Sequence, residues 1–435
     1  VLLGVGVLYT IISGCIQVRR FGYIMKRTLL RPFFHGDRQA AEKGTVTSFQ
    51  ALCTALASCV GSGNIIGVST ALIAGGLGAI FWMWVAAFVG MATKYGEIVL
   101  GVMYRRRDSE GQYVGGPFYY MEDGLHLKWL AGLCAAFMVT QIIGGNFIQS
   151  NAVSGVLHDQ FHMPPQATAI ALVVLIFVIS AGGLKRLTRV AQRVTPFMAT
   201  VYIVGGLLII LFNITKLPGV IVSIFTEAFG LRAVGGGALG AMTIAMQKGI
   251  ARGLYSNEAG EGSAPVLHSS ADVRHPVEQG IHGVTEVFVD TFVICTITGL
   301  VIGVTGVLDG AYSGNIMAIK AFASVWGPLG YVVSVSLLLF CFTSLMCQWY
   351  FGFVGLNYLF GFRVADKFKY IFPFFCAIGA LLKLEMVWTI QDIVLALLTI
   401  PNLLALILLA PKVRKATKEY FSSDLYRISR QQLSH

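Results

Sequence analysis

The stretch Cys59-Val60-Gly61-Ser62-Gly63-Asn64-Ile65-Ile66-Gly67 sets a hydroxyl and a carboxamide inside a glycine cluster, and the cluster lies within a long apolar run. A membrane helix that unwinds at such a point frees N–H groups for a carboxylate and C=O groups for a cation. Close packing of helices through small residues is the other use of such glycines, but it requires neither Ser62 nor Asn64. Thr343 and Ser344 are adjacent hydroxyls in the apolar run Leu337–Met346. Two such oxygens suit a hard cation; their ordinary alternative is to bond back to a carbonyl one turn earlier. Asp290 sits near the middle of another apolar run, four residues after Glu286. A carboxylate there is costly and marks an ion site or a structural pair. Gln149 and Asn151, with Gln141 two turns before Gln149, offer acceptors to an ammonium group or hydrogen bonds between helices. This is the chemistry of holding small polar solutes and ions.

The elements that position these residues are membrane helices. Of 435 residues, 56% are hydrophobic and only 12% charged, against roughly 25% charged in soluble domains, so the surrounding solvent is lipid. About eleven segments approach the roughly 20 apolar residues that a span needs: 1–18, 46–74, 78–104, 129–157, 167–183, 190–214, 234–254, 277–307, 326–360, 370–386 and 387–409. Val1–Ile16 is followed by Arg19 and Arg20 with no small-residue cleavage site, and reads as a span rather than a signal peptide. All but four of the 32 basic residues (Lys216, Arg232, Lys320 and Lys383) fall on alternate connections if Lys94, Lys248 and Arg252 are counted as loop residues. The positive-inside rule then expects the N-terminus outside and residues 411–435 as a cytoplasmic tail. The net charge of +11 is thus a topology signal and not a nucleic-acid footprint. Leu217–Phe229 and Ala311–Ser324 read as interfacial helices.

Two glycine-rich segments divide the chain. Gly61–Gly67 opens one set of five spans, and Val234-Gly235-Gly236-Gly237-Ala238-Leu239-Gly240 opens another. The pattern expects an all-α, five-plus-five inverted repeat, residues 46–214 and 217–410, behind one extra helix at 1–18. If the second glycine run is a break, Thr243, Met246 and Gln247 face the site. Asn257, Glu258 and Glu261, following Arg252, read as an inner gate or a loop anchor. His158 and His162 have metal-like spacing without an evident third ligand.

Several stretches carry a resemblance. Gly61–Val68 is followed by Gly75-Gly76-Leu77-Gly78-Ala79-Ile80-Phe81-Trp82-Met83-Trp84, then by Gly115-Gly116-Pro117-Phe118-Tyr119-Tyr120 and Gly145-Asn146-Phe147. Arg252-Gly253-Leu254-Tyr255-Ser256-Asn257-Glu258-Ala259-Gly260, Gly262-Ser263-Ala264-Pro265, His275-Pro276 and Glu286-Val287-Phe288-Val289-Asp290-Thr291 complete the series. In order and spacing the chain resembles the alanine-or-glycine:cation symporter family. The resemblance implies a leucine-transporter-like fold and sodium-driven uptake of small neutral amino acids across the cell membrane. It implies that carbonyls of Ala57 and Val60, with Thr343 and Ser344, ligate sodium. It implies that N–H groups of Gly61, Ser62 and Gly63 hold the substrate carboxylate, with Asn64 on carboxylate or ion. Asp290 remains either an ion ligand or a structural partner.

The chain departs from the family at two places. An apolar residue usually stands at the position of Glu261. After the Ser/Thr pair the family usually reads Gly-Trp, where this chain has Cys347 and Gln348. That Trp helps close the family's substrate pocket, so Gln348 implies a roomier, more polar pocket, and a substrate such as glutamine beside alanine and glycine.

No cofactor is expected. A nucleotide-driven pump would need a G-x-x-x-x-G-K-[ST] motif, which the chain lacks. A channel would need a continuous polar pathway, and an enzyme a nucleophile–base pair. Proton coupling is the alternative to sodium.

Overall fold

The computed structural model describes residues 1–32, 45–108, 111–180, 182–230, 238–309 and 312–433. It is helical apart from the two-residue hairpin strands Arg106–Arg107 and Tyr113–Val114 and an isolated bridge between Val46 and Ala271. In chain order the helices are α1 Leu2–Ile12, α2 Ser48–Cys59, α3 Gly63–Gly75, α4 Gly78–Met103, α5 Lys128–Phe161, α6 Pro165–Ser180, α7 Gly183–Phe212, α8 Leu217–Ala228 and α9 Ala238–Asn257. They continue with α10 Ala264–His268, α11 Pro276–Thr305, α12 Gly314–Ala323, α13 Gly327–Phe360, α14 Phe362–Leu381, α15 Leu384–Ser422 and α16 Asp424–Gln431. Short helical turns over residues 16–30 link α1 to the rest.

Six of these are long and apolar enough to cross a membrane: α4, α5, α7, α11, α13 and α15. α2 and α3 form one further span, bent by 49°. α1, α6, α9 and α14 join the same bundle but are too short or too polar to qualify on length and apolarity. The expected count of eleven spans rests on them.

Several boundaries differ from expectation. α1 stops at Ile12, because Gly14 (φ 69°) and Cys15 (φ 54°) turn the chain in the left-handed region. α15 runs without a break through Pro411 to Ser422, so residues 411–422, which carry the exposed bases Lys412, Arg414, Lys415 and Lys418, extend the last helix. α8 packs on the start of α4: Glu227 Oε2 accepts the Leu77 N–H at 2.7 Å and Trp82 donates to the Ala228 carbonyl at 3.0 Å. α12, expected at the interface, buries Met317, Ala318, Ile319, Ala321 and Phe322. The glycine run from Val234 to Gly237 lies outside the described residues, as do Arg38, Lys43 and Arg232.

Candidate functional site

The sequence of α2 starts with a capping box. Thr47 Oγ1 accepts from the Gln50 N–H (3.1 Å) and Gln50 Oε1 accepts from the Thr47 N–H (3.0 Å), satisfying two donors that a helix start leaves free. The helix ends at Cys59, Val60 leaves helical geometry with ψ 93°, and α3 resumes at Gly63. Every residue from Ala51 to Ser69 is buried. Two N–H groups freed at the break are held by side chains: Gly61 N donates to Asn64 Oδ1 at 2.9 Å, and Ser62 N to Gln149 Oε1 at 3.0 Å. Those donors converge on acceptor oxygens, as they would on a bound carboxylate. Glycine is needed at 61 and 63 because neighbours come close, not for a left-handed backbone. A Cβ at Gly61 would stand 2.7 Å from Gln149 Nε2 and Ser344 Oγ, and one at Gly63 would stand 3.1 Å from the Tyr255 ring.

The hydroxyl pair on α13 divides its bonding. Ser344 Oγ donates to the carbonyls of Ser58 (2.8 Å) and Ala57 (3.2 Å), whereas Thr343 Oγ1 bonds back to Phe340 O at 3.0 Å. Ser344 thus brings a hydroxyl to two carbonyl oxygens at the edge of the break, all-oxygen chemistry that suits a hard cation, whereas the Thr343 hydroxyl is bonded within its own helix. Asp290, fully buried, gathers three elements. It accepts from Asn64 Nδ2 (2.6 Å), Ser256 Oγ (2.9 Å) and Thr291 Oγ1 (2.8 Å). All three partners are neutral hydrogen-bond donors.

A second break lies where the sequence did not place it. α9 ends at Asn257 and α10 starts at Ala264. In between, Glu258 (φ 53°), Gly260 (φ 88°) and Gly262 (φ 88°) occupy the left-handed region, open to glycine without steric cost. The N–H groups of Gly260 (3.1 Å) and Gly262 (2.9 Å) donate to Glu97 of α4, which Asn402 of α15 also holds at 2.6 Å. Asn257, Glu258 and Glu261 are therefore buried in the bundle, and among the described residues Arg252 pairs with Asp392 rather than with them. Glu258 accepts from Ser58 (2.8 Å) and Ser263 (2.6 Å), and Glu261 from Gln141 (2.6 Å). Thr243 and Met246 lie three to four turns before this break, roughly 18–22 Å along α9, with Thr243 exposed. They do not reach the site.

Sequence reasoning missed Lys94. Counted with a basic loop, it is fully buried in α4. Its ammonium lies 2.6 Å from Glu286, donates to Asn257 O at 2.6 Å and reaches Cys59 Sγ at 3.1 Å. Glu286 also meets His268 at 3.1 Å and Cys59 at 2.8 Å. Cys59 ends α2 and Asn257 ends α9, so one cation ties the last residues before both breaks. The signal was available: Lys94 falls inside a segment delimited as a span, where a charge is a functional candidate.

Arg252 lies on α9, before the second break. It pairs with Asp392 of α15 at 2.9 Å and covers the Trp388 ring at 3.8 Å. Trp388 meets Tyr255 edge-on at 5.0 Å, and Tyr255 packs on Gly63. Gln348 lies one turn beyond Ser344, over Gly145 of α5; beside it Gln391 lies over Gly144. Oε1 of Gln348 and both polar atoms of Gln391 are buried without a hydrogen-bond partner among the described residues. Asn151 has a structural role, donating to Leu382 O at 2.6 Å.

The model of the sodium:alanine symporter family matches residues 1–432. An uncharacterized transporter of Haemophilus influenzae is 42% identical over 96% of this chain and 91% of its own length. The sodium/alanine symporter AgcS of Methanococcus maripaludis is 36% identical over 96% and 93%. Among solved structures, the substrate-bound outward-open state of a Na+-coupled sialic acid symporter superposes with a TM-score of 0.60 at 14% identity, covering 92% of this chain and 86% of that one; at that identity the likeness shows the fold. The chain, a polytopic membrane transporter and not an enzyme, belongs to the sodium:alanine symporter family.

Proposed function

We propose that this chain imports a small neutral amino acid together with sodium, by alternating access around the two breaks. The observation that carries the reading is the first break itself. Buried N–H groups of Gly61 and Ser62 sit on displaceable side-chain oxygens, and the Ser344 hydroxyl sits on the Ala57 and Ser58 carbonyls beside them. A substrate carboxylate replaces Asn64 Oδ1 and Gln149 Oε1 as acceptor. Sodium then sits among the carbonyls of Ala57 and Val60 and the hydroxyls of Thr343 and Ser344, each hydroxyl turning its lone pairs inward. Asp290, with Asn64, is the second candidate cation ligand.

The inverted repeats are residues 46–214 and 217–410, each opening on a broken span. With the N-terminus outside and the C-terminus cytoplasmic, Arg252, Asp392 and Trp388 cover the extracellular path. The Lys94 cluster covers the cytoplasmic one.

Replacing both Thr343 and Ser344 by Ala is expected to raise the sodium concentration for half-maximal uptake about tenfold or more, the loss of a few favourable oxygen contacts. An unchanged sodium requirement in that variant contradicts the assignment.

Substrate choice follows from Gln348. An amide buried with its oxygen unpaired favours a solute that pairs it and disfavours one that does not. Gln348→Trp is expected to move the ratio of glutamine to alanine uptake toward alanine, by about tenfold. Equal loss of both rates, or no change, removes Gln348 from the pocket and leaves alanine or glycine as the substrate.

A further inference from the structure

Away from the transport path, α16 folds back on the segment that follows α1. Tyr426 and Ser429 are its buried residues. Tyr23 bonds to Ser429 (2.8 Å) and Tyr420 (3.1 Å), and Arg27 reaches Ser429 and, at 2.9 Å, Glu278 of α11. Beside this seam is a cavity of about 690 Å³ lined by Arg19, Arg20, Lys26, Arg427 and Arg430. Five cations around one cavity repel one another unless an anion joins them. Among the described residues their one acidic partner is Asp424, 3.3 Å from Arg427. Arg19, Lys26 and Arg430 have no ion pair among the described residues. Arg20 is already oriented. Its guanidinium lies over the rings of Phe421 (5.1 Å) and Tyr426 (5.2 Å) and donates to the Tyr426 hydroxyl at 2.8 Å. A planar donor fork fixed in this way suits phosphate oxygens.

The placement of the cavity narrows the anion. It opens at the end of α1, at the edge of the apolar bundle. Val18 and Ile428 stand next to the basic residues with 58% and 52% of their surface exposed. Phosphate-sized positive charge beside exposed aliphatic side chains is the recognition chemistry of an anionic phospholipid, headgroup in the cavity and acyl chains along the helix. We propose that this cavity is a binding site for the headgroup of an anionic phospholipid, which joins the α1–α2 segment to α16.

The test uses the purified full chain, thermally unfolded in detergent with added dioleoylphosphatidylglycerol or dioleoylphosphatidylcholine. A ligand that binds only the folded state raises the midpoint, by an amount that grows with the logarithm of its concentration over its Kd. Phosphatidylglycerol is expected to raise it by about 5 °C more than phosphatidylcholine. The triple variant Arg19→Gln, Lys26→Gln, Arg430→Gln is expected to lose most of that difference. A control triple on exposed positions of α15 outside the cavity, Arg414→Gln, Lys415→Gln, Lys418→Gln, is expected to keep it.

The proposal falls if the two lipids act alike on the wild type. It falls if the cavity triple keeps the difference, or if the control loses as much, which would indicate a diffuse surface potential. Inorganic phosphate reproducing the full shift would also overturn it, in favour of a soluble anion. Should the cavity triple not fold, native mass spectrometry decides: wild type must retain phosphatidylglycerol to a several-fold higher collision energy than Arg430→Gln.

Discussion

Lys94→Met is expected to yield a protein that unfolds far more easily than wild type and transports nothing. The variant leaves Glu286 buried, with the 2.6 Å ammonium gone and only His268 and Cys59 beside it. It also strips the Asn257 carbonyl of its 2.6 Å donor at the edge of the second break. Removing one member of a buried ion pair costs about 3–5 kcal/mol, because the survivor keeps its desolvation penalty without its partner. That is a large share of a typical folding stability of about 5–15 kcal/mol. The double variant Lys94→Met, Glu286→Gln is expected to recover part of the loss, since both charges then leave together. Lys94→Arg is expected to fail as well. A planar fork does not fit a pocket built around a point donor with three separate partners. Thermal unfolding in detergent checks the series. A Lys94→Met midpoint within about 2 °C of wild type would mean that the pair contributes little, whatever its distances.

Gly63→Leu is expected to abolish substrate binding, with at least a hundredfold loss of affinity, while the chain still inserts. A Cβ there would stand 3.1 Å from the Tyr255 ring and 3.2 Å from Ser256 Cα, and the second of these is backbone. The remaining leucine carbons can fit only if α3 and α9 separate, and overpacking of that kind costs about 1–3 kcal/mol or more. Separation moves Tyr255 off Trp388 and carries Ser256 away from Asp290, so the cover and the Asp290 cluster fail together. Gly63→Ala is the graded case, because a few tenths of an ångström of movement accommodates a methyl group. Equilibrium binding of labelled substrate checks both. Wild-type affinity in Gly63→Leu would mean that α3 and α9 are not packed through this glycine.

The first break was legible in the sequence because its glycines enclose Ser62 and Asn64, polar residues that packing alone does not call for. Ser344 was half legible. Adjacent hydroxyls allow either a cation or a back-bond, and the structure shows Thr343 back-bonded while Ser344 crosses to α2. The second break was not legible. The run at Val234 has more glycines, but Val234–Gly237 lie outside the described residues, and the break that is described falls at Glu258–Gly262, where Gly260, Gly262 and Pro265 succeed one another. A hydropathy reading ends the span at Leu254, since Asn257, Glu258 and Glu261 look like loop residues. Their burial depends on partners from α2, α4 and α5 that no local window contains. Lys94 and Arg252 were lost for a related reason. The alternation of charge across connections gains from counting every base as a loop residue, whereas a paired base can lie in a helix. Gln391 had no signal at all. It emerges only when α15 is laid over Gly144.

Uptake into proteoliposomes under an imposed sodium gradient tests the central claim most directly. The purified chain is reconstituted, and labelled alanine and glutamine are offered with sodium outside or with choline in its place, at equal pH on both sides. The account predicts saturable accumulation of at least one of the two amino acids with sodium and almost none with choline. Accumulation that is equal with choline, or that follows an imposed proton gradient without sodium, would contradict it.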